Sequence, residues 1–290
     1  MAWGGVVVGL LTAGCAHVER TDACHDGRVS SSSALGMASS SASVHVDGFD
    51  GVACATLQRP LVAVNFSSPP ADAAQRDDVD AYNRGVLRYL SAVDTKVLFV
   101  SEANGVVLRH EGALLQPARR LALPLYASAG AFVSMVSHPG FQTLGAKKGS
   151  ATFAAYSFVF ETCVVGCEQA LMLPPSTSTP AVVVHLDVDG VDDAFAVQAR
   201  ERTAAALRAA VSAFAAEGFD VAFAGVAVAR PRFQAEDGTN RFPYANHGID
   251  ATVLLTPRDD VDLASITTTA AYSSLTSLAD GVVVVAFADD

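Results

Sequence analysis

The clearest candidate for chemistry in this chain is one acidic loop, His185-Leu186-Asp187-Val188-Asp189-Gly190-Val191-Asp192-Asp193. It follows the apolar run 181–184, so its carboxylates are expected at a strand end. Asp187, Asp189 and Asp193 are the candidate metal ligands, because clustered carboxylates hold divalent cations through oxygen and a bound cation can activate water for hydrolysis. A plainer reading competes with this one and is preferred. Aspartates just before a helix cap its free N–H groups and complement its dipole. Cys163-Val164-Val165-Gly166-Cys167 could supply two thiolates. A structural zinc site needs a matching second pair, and Cys15, Cys24 and His25 could serve as one only by coincidence of folding. The odd cysteine count reads as buried free thiols in a reducing compartment. Nucleophilic catalysis has no handle: there is no Gly-x-Ser-x-Gly elbow, Gly145-Ala146-Lys147-Lys148-Gly149-Ser150 has phosphate-loop letters in the wrong order, and the seven histidines are scattered.

Two hydrolase families bear on the acidic loop. An apolar strand followed by Asp-x-Asp-Gly resembles the first motif of haloacid-dehalogenase-type phosphatases. Those enzymes need a later lysine, and none follows Lys148. The loop also resembles the Asp-x-Asp motif of arginase-type ureohydrolases, whose second motif is approached only by His45-Val46-Asp47-Gly48-Phe49-Asp50, in the wrong order and spacing. A metal-dependent hydrolase, degenerate in its motifs, is therefore the alternative reading, and no cofactor is expected on the preferred one.

The elements that must position any such residues are set by composition and periodicity. Hydrophobic residues make up 51% of the chain and charged ones 17%, enough for a sizeable core and against global disorder. The net charge is −11 and the only lysines are Lys96, Lys147 and Lys148, which argues against phosphate-neutralising contacts with nucleic acid. No apolar run is long enough for a bilayer span. Residues 6–11 followed by Thr12-Ala13-Gly14-Cys15 resemble a short lipoprotein-type signal, but no Lys or Arg precedes them, and residues 5–13 read as a buried strand. Strands are expected at 61–66, 121–128, 131–137, 151–165, 181–188, 219–228, 249–256 and 282–287. Residues 96–101 and 106–110, around Asn104-Gly105, read as a β-hairpin. Helices are expected at 72–90 and 195–217, and a third after Asp259, Asp260 and Asp262, with Leu263, Ile266 and Leu278 at helical spacing. Val197, Leu207, Val211 and Phe214 form a stripe on the long helix. No internal repeat is visible. The expected fold class is α+β: a β-rich trunk at 1–175 with one helix, then 176–290 as a mixed arm whose amphipathic helices await a partner.

The order of elements resembles that of the herpesvirus triplex capsid protein 2 family. The resemblance rests on four places: the helix and strand pair over 80–110, Leu173-Pro174-Pro175 at a mid-chain joint, the helix 195–218, and the stretch 244–287 with Leu263-Ala264-Ser265-Ile266, Ser274-Leu275 and Asp280-Gly281. It implies a structural, non-enzymatic subunit of a virion capsid, assembled in the host nucleus. Two copies of the chain would join a different triplex subunit and clamp the major capsid protein, with no direct contact to nucleic acid or membrane. Val197, Leu207, Val211, Phe214, Leu263, Ile266 and Leu278 would form the interface.

Overall fold

Runs of β-branched and small apolar residues alternate with alanine-rich amphipathic segments, and in the computed structural model they fold as strands and helices. The structure describes residues 22–25, 28–31, 45–47, 52, 54–67, 69–101, 104–112, 120–150, 156–166, 180–188, 196–229, 232–234, 249–258 and 261–288. The elements are β1 (Asp22–His25), β2 (Arg28–Ser31), β3 (His45–Asp47), α1 (Cys54–Leu57), β4 (Leu61–Ser67), α2 (Ala73–Ala92), β5 (Lys96–Val100), β6 (Val106–Glu111), β7 (Arg120–Tyr126), α3 (Ala129–Val136), α4 (Pro139–Ser150), β8 (Tyr156–Val165), β9 (Ala181–Asp187), α5 (Ala196–Ala216), β10 (Phe219–Ala229), β11 (Arg232–Gln234), β12 (Ala251–Pro257), a 3-10 turn (Leu263–Thr268), α6 (Ala270–Thr276) and β13 (Gly281–Phe287). The chain is α+β with a large antiparallel sheet and several helices.

Among the described residues, nine strands form that sheet in the order β5-β7-β4-β8-β10-β12-β9-β13-β6. The order contains the same unit twice. In β5-β7-β4-β8 and again in β10-β12-β9-β13, the second strand of the unit is followed by the third, the first and the fourth. Leaving aside β6, β11 and the 3-10 turn, each unit runs strand, helix, strand, strand, one or two helices, strand. The fourth strand of each pairs with the second-strand region of the other, β8 with β10 and β13 with β6. The strands at the two ends of the order, β5 and β6, are successive in the chain, and Phe99 of β5 meets Phe287 of β13 edge-on with centroids 5.6 Å apart. The sheet therefore curls into a barrel.

This closure gives three apolar layers. The barrel interior holds Val62, Val64, Phe66, Leu98, Leu123, Val159, Val183, Phe223, Leu254 and Val285. Outside it, α2, α3 and α4 cover the first unit, burying Tyr89, Phe132, Met135 and Phe141 against Leu61, Ala63 and Phe160. On the second unit α5 and α6 bury Leu207, Phe214, Tyr272 and Leu275 against Val182, Val184, Val226 and Val284. Strands covered on both faces have no need of polar alternation, and β9 and β13 accordingly read as near-continuous apolar runs. Asp72 caps α2 by accepting from Gln75 N at 2.9 Å, and Asp262 caps the 3-10 turn by accepting from Ala264 N.

Several sequence expectations change here. Residues 96–110 are not a hairpin: β5 pairs with β7 and β6 with β13. The Asn104-Gly105 step instead carries the chain from one end of the sheet to the other. Residues 131–137 are helical, because Ser128 caps α3 and the segment lies between sheet and α4 with nearly every side chain buried. The absence of a sequence repeat hides a repeated architecture, since packing constrains volume and polarity rather than identity. The expected strand at 5–13 and most of the joint at 171–180 lie outside the described residues.

Candidate functional site

One row of positions crosses four neighbouring strands in the interior of the barrel. In register, Thr252 of β12 lies opposite His185 of β9 on one side and Gly225 of β10 on the other, while Glu161 of β8 reaches across from the strand beyond. All three polar side chains, Glu161, His185 and Thr252, are fully buried. The inward facing follows from the two-residue period of a strand: Val182, Val184 and Leu186 of β9 belong to the outer helix layer, so His185 points inward with Val183.

The three groups are hydrogen-bonded in series. Thr252 Oγ1 donates to Glu161 Oε1 at 2.7 Å, and His185 Nδ1 lies 3.0 Å from Thr252 Oγ1. A threonine hydroxyl has one proton. That proton is committed to Glu161 Oε1, so in the tautomer that fits, His185 Nδ1–H donates to Thr252 and Nε2 carries the free lone pair. Nε2 is buried and has no hydrogen-bond partner among the described residues. The Phe66 ring packs on the imidazole with centroids 4.4 Å apart. Burial pushes the His185 pKa down to about 3, so the ring is neutral at ordinary pH.

Gly225 makes the row possible. A Cβ there would lie 2.4 Å from Glu161 Oε2 and 2.6 Å from Phe223 Cζ. The missing side chain is the space through which the glutamate passes over β10 to Thr252. The other seam of the barrel, β13 on β6, has a matching glycine. A Cβ on Gly105 would lie 2.3 Å from Val285 Cγ1 and 2.7 Å from Phe287 Cε1. Equivalent seams thus have the same opening, filled by a carboxylate in one and by hydrocarbon in the other.

The end of the barrel beside this row is pinned by Asp250, whose Oδ2 accepts from Val188 N at 2.8 Å and whose carbonyl accepts from Ala227 N at 2.7 Å. Of the sequence-predicted metal ligands, Asp187 closes β9 opposite Gly281, and Asp189 and Asp193 lie outside the described residues. Among the described residues no three His, Cys, Asp or Glu side chains are grouped to hold a metal. Cys54 and Cys163 are both disulfide-bonded, which corrects the expectation of free thiols. His185 had been visible only as the first letter of the acidic loop. Thr252 and Glu161 gave no signal, because nothing in a linear sequence aligns positions on β8, β12 and β9.

The stripe residues have a different destination from the one expected. Leu207, Phe214 and Ile266 are buried in the layer between the helices and the second unit's own strands, with Leu263 packed against that layer. Val211 is partly buried, and Val197 and Leu278 are exposed. Among the described residues no helix is long and apolar enough to cross a membrane.

No family model and no curated protein matches the chain. Its fold is similar to that of a candidate monooxygenase from Fusobacterium nucleatum, at 9% identity over 79% of this chain and 92% of that one with a TM-score of 0.42. A candidate monooxygenase from Lactobacillus acidophilus shares 8% identity over 79% of this chain and 92% of that one, with a TM-score of 0.40. Chlorite dismutase from Candidatus Nitrospira defluvii shares 9% identity over 81% and 93%, with a TM-score of 0.37. Likenesses this distant transfer no activity. They do correct the capsid reading, because the similar structures are described as enzymes and not as triplex subunits. The expectations of a structural virion protein, of a chain without enzymatic chemistry, and of a place in a capsid or host nucleus are withdrawn with it. The physical error was to treat greasy helical stripes as waiting for a partner, when the chain's own curled sheet covers most of them.

Proposed function

We propose that this chain is a proton-transfer enzyme that acts on a small, mostly apolar weak acid through His185. The observation that carries the reading is the contrast between the two seams. The fold is satisfied by valine at the seam over Gly105, so a buried glutamate over Gly225 is not an architectural requirement. Burying such a group is costly unless its hydrogen bonds are met. The row Glu161–Thr252–His185 meets one of them, at Oε1, and leaves one imidazole nitrogen unpaired among the described residues.

The chemistry follows from the order of the bonds. Nε2 accepts a proton from the substrate's C–H or O–H group. Nδ1–H passes its proton to Thr252 Oγ1, and the threonine proton passes to Glu161. The carboxylate becomes a carboxylic acid, the imidazole remains neutral in its other tautomer, and the negative charge moves to the substrate. No imidazolium has to persist in the apolar interior, so the depressed pKa of His185 is no obstacle. The final base is Glu161, reached through two relays.

A general probe of a buried base is the ring opening of a nitrobenzisoxazole, which needs only proton abstraction from carbon. His185-dependent turnover is expected, lost in His185→Gln and strongly reduced in Thr252→Val, with circular dichroism reporting retained folding. Phe66→Leu, which opens space beside the imidazole, is expected to raise the rate, since apolar cavities admit apolar guests. Equal rates for the native chain and His185→Gln would remove the proposal. Of the former interaction arm, Val197 and Leu278 stay exposed; we keep contact with a second copy there as a subsidiary proposal, read by light scattering.

A further inference from the structure

A second site lies on the outside of the barrel, on the opposite side of the sheet from the buried row. It is an open cavity of about 260 Å³ between β6, α6 and the start of β13. Its lining includes Arg109, Glu111, Tyr272, Ser277 and Asp280. A β-bulge aims the charged pair. On β6, Val107 lies opposite Val285, and the register then shifts so that Arg109 faces Val284 and Glu111 faces Val282. Val285 belongs to the barrel interior, whereas Val284 and Val282 belong to the helix layer. The extra residue therefore puts both Arg109 and Glu111 on the outer face beside α6, a common use of bulges near functional sites.

The groups there are complementary and incompletely used. Arg109 Nε and Nη2 both donate to Glu111 Oε1. A guanidinium has five N–H donors, so others remain. Tyr272 is 3% exposed, and its hydroxyl has no hydrogen-bond partner among the described residues. Arg109 and Glu111 both act electrostatically on that phenol, which sets it close to the ion pair. Asp280 is exposed at the same cavity and adds a second carboxylate. The Ser277 hydroxyl donates to Ser274 O at 2.7 Å and keeps its acceptor lone pairs.

We propose that this cavity binds a small zwitterion of amino-acid type. A simple anion is disfavoured, because the lining carries two carboxylates to one guanidinium. A simple cation leaves the Tyr272 hydroxyl and the remaining Arg109 N–H groups without an acceptor. A ligand with a carboxylate for Arg109 and Tyr272 and an ammonium for Glu111 and Asp280 satisfies both sets. The cavity is smaller than the range usual for drug-sized ligands, about 300–1,000 Å³, which suits a molecule of this size. The proposal is independent of His185.

The test is NMR titration of the full chain with free amino acids, their methyl esters and their N-acetyl forms. Saturable shifts at Arg109, Tyr272 and Asp280 are expected for at least one free amino acid. Both blocked forms should bind about tenfold or more weakly, the usual loss when one charge-assisted hydrogen bond is removed. Arg109→Gln and Tyr272→Phe should weaken binding, and His185→Gln should leave it unchanged. Absence of shifts at these residues, or equal binding of the blocked forms, would overturn the proposal. Loss of binding in His185→Gln would do so as well, by tying the effect to the interior row.

Discussion

Replacing Gly225 by alanine removes the opening on which the buried row depends. The new Cβ would stand 2.4 Å from Glu161 Oε2 and 2.6 Å from Phe223 Cζ, both far inside van der Waals contact. Phe223 is fully buried, so its ring has little room to retreat. Overpacking of this kind costs about 1–3 kcal/mol. Pushing the carboxylate aside also breaks the 2.7 Å bond from Thr252, and a buried polar group deprived of its partner costs about 1–3 kcal/mol. Alanine returns a few tenths of a kcal/mol through the unfolded state. The expected loss is therefore about 2–5 kcal/mol, or roughly 4–20 °C in Tm for a domain of this size. Thermal unfolding by circular dichroism measures it. The decisive comparison is a double-mutant cycle with Glu161→Ala. If the cost of Gly225→Ala comes from the glutamate, it should shrink by about 1 kcal/mol or more in the truncated background. A cost under about 0.5 kcal/mol, or strict additivity in the cycle, would refute the reasoning, since surface-like substitutions fall in that range.

Two further outcomes follow from the same packing. His185 has a folded pKa near 3 against an ordinary value of 6.5, so between those values the unfolded chain binds the proton more readily and stability falls as pH falls. The fall should begin below about pH 6.5 and steepen toward about 1.4 kcal/mol per pH unit. His185→Gln should flatten that limb in denaturant titrations at several pH values, and an unchanged limb would exclude His185 as its source. Leu207→Asp should unfold the second unit rather than alter oligomeric state, because Leu207 is buried against the chain's own sheet. A folded, merely monomeric variant by light scattering and circular dichroism would contradict this burial.

Much of the local structure was legible in the residues. Helical periodicity over 72–90 marked α2, and the apolar runs at 181–188, 219–228 and 282–287 marked β9, β10 and β13. These signals are short-range: capping, periodicity and propensity act within a turn or a strand. The helix at 129–136 was missed because Phe132, Val133, Met135 and Val136 are all buried, which erases the polar face that would have revealed its period. The hairpin at 96–110 was misread because a turn sequence limits the backbone but does not choose the strand's partner; closure of the barrel chose β7 and β13 instead.

Sequence alone determined that this chain would form a mixed α+β core from small apolar residues, because composition and local spacing decide which segments can bury a face. Only the tertiary structure decided which face, and against what. Glu161, His185 and Thr252 lie far apart along the chain and meet because antiparallel register aligns β8, β10, β12 and β9 and Gly225 leaves a gap between them. Register is a long-range property, fixed by the sum of interior packing around a closed sheet. No run of neighbouring letters encodes it.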